Sequence, residues 1–157
     1  MIPHPIKIIV AVVASMLIGC ASVPTASPDF KREAMKFAPP PEMAAVYVYR
    51  PYNVIGSAIL FLVSIDYKDF GSVSTDTYLF GTIRPGQHVI KATGGIPLSV
   101  AVTEFDAEAG RLYFFKISPG WSGIKLEQMD ETRGRDTLRN LRPSGDNIFN
   151  FPYNFQE

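Results

Sequence analysis

Cysteine is nearly missing from this sequence: Cys20 is the only one in 157 residues. A single cysteine excludes an intramolecular disulfide and any zinc site built from thiolates. Histidine is scarce too, with only His4 and His88. A nucleophile–base–acid arrangement needs an imidazole near a presented nucleophile, yet no Gly-x-Ser-x-Gly turn accompanies either histidine. A glycine-rich phosphate loop is also missing. Fifteen basic residues balance fifteen acidic ones. That balance speaks against a nucleic-acid partner, which demands a basic face. Nor does the longest apolar run, Ile8 to Ile18, reach the roughly twenty residues that a membrane span requires.

What that run does fit is the core of a cleaved signal. Lys7 precedes it, and Leu17-Ile18-Gly19-Cys20 closes it. The order of charge, apolar stretch, small residue and cysteine is that of a bacterial lipoprotein signal. Residues 1–19 are therefore expected to be removed. Cys20 is expected to carry the lipid through a thioether and to become the mature N-terminus. An ordinary secretory signal with an incidental cysteine is the plainer alternative. Several acyl chains anchor a protein stably where one does not. Ala21, rather than Asp, follows the cysteine. This favours the outer membrane, with the domain in the periplasm.

The next stretch, 20–43, reads as a tether. Ala, Ser, Thr and Pro keep 21–28 extended, a turn or two of helix is expected within 29–37, and Pro39-Pro40-Pro41 marks the domain boundary. From Ala44 the pattern becomes β. Val46-Tyr47-Val48-Tyr49-Arg50 is dense in strand formers. Ala58 to Ile65 is apolar on both faces, which predicts a central, covered strand. Tyr67-Lys68-Asp69 predicts a hairpin turn. Pro85-Gly86 predicts a second turn leading back to a partner strand at 87–93. Further strands are expected near 98–105, 111–118 and 123–129. Short connections favour antiparallel neighbours. The domain, 44–142, is expected to be mainly β: an antiparallel β-sandwich of seven to eight strands with one C-terminal helix at about 130–141. Asp130 is its expected cap and Glu131–Arg135 its i,i+4 pair, while Gly134 weakens the helical pattern. Residues 143–157 form an aromatic tail.

The ordered pieces Val46-Tyr47-Val48-Tyr49-Arg50-Pro51, Gly56-Ser57, Ile65-Asp66, Pro85-Gly86-Gln87-His88, Ala107-Glu108-Ala109-Gly110 and Ser118-Pro119-Gly120 resemble a family of bacterial lipoproteins, that of domain of unknown function 2846. The likeness spans about 44–141. It implies a small β-rich, envelope-attached domain with no assigned activity. The hairpin ending in Pro-Gly-x-His is also similar to PEGA-like and carboxypeptidase-regulatory-like sandwiches, which imply accessory or interaction roles. The aromatic tail has no counterpart in the family pattern.

His88 is expected to start a strand and bond locally. Asp66 and Asp69 read as turn residues, because a calcium loop needs more oxygens at closer spacing. Glu104, Asp106 and Glu108 read as a solvated rim. Arg133, Arg135, Arg139 and Arg142 lie among acids and read as a mixed solvated surface. Trp121 lies in Pro119-Gly120-Trp121-Ser122-Gly123 and is expected to fold back over the end of the core. The alternative is a platform for a sugar ring, aided by Tyr47, Tyr49 and Tyr52. Phe149, Phe151, Tyr153 and Phe155 recur with period two, so an extended chain places them on one face. That strip is expected to pack on its own domain or to add to a partner. No catalytic residue, metal ligand or cofactor is expected. The expected function is a non-enzymatic, membrane-tethered interaction or structural module with an envelope protein partner, with glycan binding as the alternative.

Overall fold

In the computed structural model, the described residues are 26–54, 56–95 and 98–145. Among the described residues, nine strands form two sheets, and two helices cover one of them. The order along the chain is α1 (Pro28–Ala34), β1 (Ala44–Arg50), β2 (Phe61–Ile65), β3 (Lys68–Val73), β4 (Thr77–Ile83), β5 (Gly86–Gly94), β6 (Ser99–Ala107), β7 (Leu112–Gly120), β8 (Gly123–Met129), α2 (Glu131–Arg139) and β9 (Arg142–Pro143). One sheet has the order β8-β7-β1-β4-β9 and the other β3-β2-β5-β6. The mainly β sandwich is thus present. Two of its pairings, β1 with β7 and β4 with β9, are parallel.

Alternation along β1 explains why every one of its residues is buried. Ala44, Val46 and Val48 face the core between the sheets, against Phe61, Val63, Leu79, Phe115 and Ile117. Ala45, Tyr47 and Tyr49 face the other way, into a second core with Tyr78, Phe80, Phe114, Leu138 and Leu141. Tyr47 is stacked between Phe114 and Phe80, with ring centroids 4.9 and 4.7 Å away, and its hydroxyl donates to the Ala34 carbonyl at 2.7 Å. Burial pushes the Tyr47 and Tyr78 phenols far above the usual tyrosine range, and Tyr49 upward as well.

The stretch expected in the tether is packed from α1 onward. Ser27 caps α1 by accepting from the Phe30 amide. Phe30 and Phe37 join the second core. Burying those rings against Phe80 and Tyr47 holds the segment to the sheet. At the other end, Asp130 caps α2 as expected, through the Arg133 amide.

Two turns differ from the sequence pattern. The β2–β3 hairpin turns at Asp66-Tyr67, not 67–69. Both residues have positive φ, 50° and 63°, which is the backbone twist that a two-residue hairpin requires. Pro85-Gly86 does not join partner strands. It carries the chain from β4 in one sheet to β5 in the other.

Candidate functional site

The two sheets are covered unequally. The helices bury the outer side of the five-stranded sheet, whereas the outer side of β3-β2-β5-β6 faces solvent. Leu62 stands there at 58% exposure. It lies opposite Thr93, which lies opposite Val100. One step along, Ser64, Lys91 and Val102 form the next row. Opposed residues project to the same side, so Leu62, Val100 and Val102 make an apolar strip broken by Thr93 and Lys91. Val100 and Val102 are each 56% exposed. The covered β2 expected from the sequence is therefore corrected: Phe61, Val63 and Ile65 are buried, but its other face is open, since among the described residues no helix packs on it.

A second surface lies at the end of the sandwich where β1 and β7 finish. Gly120 pairs with Gly123, which makes Trp121-Ser122 the tip of a hairpin. Trp121 is 98% exposed. It does not fold back over the core: it stands at the hairpin tip, beyond the last paired residues of β7 and β8. Beside it lies a hollow of about 240 Å³, lined by Ile59, Phe61, Ser99, Pro119 and Ile124 among others. Tyr52, Val54 and Leu98, on the neighbouring loops, are also exposed. Tyr47 and Tyr49 are buried and have no part in any surface platform.

Arg50 organises this end from beneath. It is fully buried and donates to the carbonyls of Ile59 at 2.6 Å and Gly56 at 2.5 Å. Its guanidinium lies 4.8 Å from the centre of the Phe61 ring. Burial lowers its pKa from the usual arginine value. Bonded to two carbonyls rather than to a carboxylate, Arg50 fixes the path of the β1–β2 connection.

At the opposite end, His88 Nδ1 lies 2.6 Å from Asp66 Oδ2, and Nε2 lies 2.8 Å from the Arg84 carbonyl. A nitrogen facing a carbonyl must donate, so Nε2 has no lone pair to receive a proton. Asp66 Oδ1 also accepts from the Val89 amide at 3.0 Å. Asp69 accepts from the Gly71 amide. Both aspartates serve their turns, as expected, although His88 reaches across to Asp66 in the β2–β3 turn as well as bonding locally. Glu104 and Asp106 line a shallow hollow beside His88. Among the described residues, no group of three His, Cys, Asp or Glu is placed to hold a metal.

The arginines are paired: Arg133 with Asp130, Arg135 with Glu131, Arg139 with Asp136, and Arg142 with Asp76. Together they form the mixed charged surface expected.

The family described as protein of unknown function (DUF2846) matches residues 41–126. The chain belongs to the DUF2846 family. The matched part of this DUF2846 protein runs from just before β1 into β8. It contains Arg50, the open strip and the Trp121 hairpin, and leaves out α1 and α2. A Haemophilus influenzae relative, described as an uncharacterized protein, is 31% identical over 134 residues, covering 82% of this chain and 78% of its own. No solved structure matches the chain.

Cys20 and the aromatic residues Phe149, Phe151, Tyr153 and Phe155 lie outside the described residues. Two features are missed by the sequence pattern. Arg50 reads there only as one residue of a strand. Leu62 reads as part of a covered strand, and Val100 and Val102 only as part of a strand near 98–105. The alternation Val100, Val102, Glu104, Asp106 held the signal for the second, since it places valines on the face that also carries acids.

Proposed function

We propose that this chain is a non-enzymatic envelope lipoprotein, tethered through Cys20, whose sandwich docks a partner protein on the open face of its four-stranded sheet. The unequal covering of the two sheets carries this reading. A single domain can hide both faces of a sheet, as the helices do for β1 and β4. Leaving leucine and valine on the other outer face is a cost to solubility that a binding surface explains. The strip sets the aliphatic Leu62, Val100 and Val102 on either side of Thr93 and Lys91, with Glu104 and Asp106 beyond, the mixture of apolar and polar side chains that an interface carries. Its place in the periplasm, at the outer membrane, follows from Ala21 and the signal.

Leu62→Lys combined with Val102→Lys tests the reading in the full chain. Both side chains are exposed, so stability should stay within about 0.5 kcal/mol. Crosslinking to the partner in cells should be lost. Undiminished crosslinking, with the fold retained, would refute this use of the face.

A further inference from the structure

The end of the sandwich that carries Trp121 is also the end at which the tether leaves. The Ala26 amide donates to the Pro143 carbonyl at 3.4 Å, and Pro143 pairs with Tyr78 near the start of β4. In the antiparallel β1–β4 pair, Thr77 lies opposite Arg50, so Ala26 lies at the level where β1 ends. Tyr52 and Val54 follow directly in the β1–β2 connection. β7 runs parallel to β1, which brings the Trp121 hairpin to this same end. Leu98, in the β5–β6 turn, meets it across Ser99, whose hydroxyl lies within 3.2 Å of where a Gly123 Cβ would be.

Apolar exposure is concentrated here. Tyr52, Val54, Leu60, Leu98 and Trp121 are all exposed at this end, and among the described residues the one exposed large apolar residue at the other end is Tyr67. Six chain steps separate Cys20 from Ala26, a reach of at most ~20 Å. A nine-residue strand such as β7, with eight such steps, is already ~26 Å long. A tether shorter than the domain holds the Ala26 end toward the lipid.

From this juxtaposition we infer that the loops bearing Tyr52, Val54, Leu98 and Trp121 dip into the lipid surface and give the domain a second, non-covalent membrane contact. Tryptophan and tyrosine suit the boundary between headgroups and acyl chains. The acyl chains supply the anchorage. The loops supply orientation, since the tether keeps them at high effective concentration beside the bilayer. The strands then stand on the membrane, and the Leu62–Val102 face looks sideways, toward other proteins in the same bilayer. This inference rests on the lipoprotein reading of Cys20.

Trp121 is the only tryptophan, so intrinsic fluorescence reports this tip alone. The full lipoprotein is reconstituted in phosphatidylethanolamine–phosphatidylglycerol vesicles, with and without lipids brominated near the carboxyl end of the acyl chain. The expected result is a blue-shifted emission, strong quenching by the brominated lipid, and several-fold weaker quenching by aqueous iodide than in free tryptophan. Val54→Asp with Leu98→Asp should reverse these effects while the circular dichroism stays unchanged. Emission that ignores the brominated lipid and stays fully open to iodide would overturn the inference. So would a tip that responds only to peptidoglycan fragments, which would make it a sugar platform. Intact mass separately reports acyl chains on Cys20, so failure of the tether reading is told apart from failure of the dip.

Discussion

Gly134 of α2 lies directly over the ring of Phe114 on β7: a methyl group at its Cα would come within 2.3 Å of Phe114 Cγ and 2.5 Å of Cδ1. The ring cannot yield easily, because it stacks on Tyr47 at 4.9 Å and lies near Phe37. Two effects oppose each other in Gly134→Ala. Helix propensity favours alanine by ~1 kcal/mol, whereas overpacking costs ~1–3 kcal/mol and more against a fixed ring. Net destabilisation of about 2 kcal/mol in urea unfolding is expected. A more stable variant would contradict this close approach.

Arg50 should behave as a clamp. Arg50→Ala removes two charge-assisted hydrogen bonds and takes the side-chain donor from the Ile59 carbonyl, while the Gly56 carbonyl keeps the Ile59 amide, at about 3 kcal/mol. Arg50→Lys should recover less than half, since one ammonium cannot reproduce a fork spanning Ile59 and Gly56. Limited proteolysis should then reveal new cleavage within 51–60 in both variants. Wild-type resistance in Arg50→Lys would show that the charge, not the fork, holds the loop.

Alkaline titration tests the helix-covered core. Burial raises the Tyr47, Tyr49 and Tyr78 phenols in the folded state. The stability they contribute is fully present below the unfolded tyrosine value of ~10 and is lost as pH rises toward the raised folded values, because the unfolded chain releases protons that the folded one retains. Of the seven tyrosines, these three should form tyrosinate only together with the loss of circular dichroism. Their ionisation in a still-folded protein would refute the burial.

The strands were legible because β1, β5 and β8 combine strand formers with clear boundaries, and the Asp130 cap was legible because it is a local signal. The pairing was not. Parallel β1–β7 contact joins segments over sixty residues apart, and no local pattern records it. Gly134 reads as a flaw in a helix until Phe114 is seen beneath it. Leu62 misleads in the opposite sense, since an apolar residue in a strand predicts a covered face, and only the positions of α1 and α2 show which sheet is covered. Trp121 between two glycines is a loop signal, but the direction of the ring depends on the backbone of the tip.

A photocrosslinking amino acid placed in turn at 102 and at 127 in cells tests the docking face most directly, because Glu127 lies on exposed β8, in the other sheet. The docking account predicts one discrete adduct from position 102, abolished by Leu62→Lys, and none from 127. No adduct from 102, or equal adducts from both positions, would contradict it.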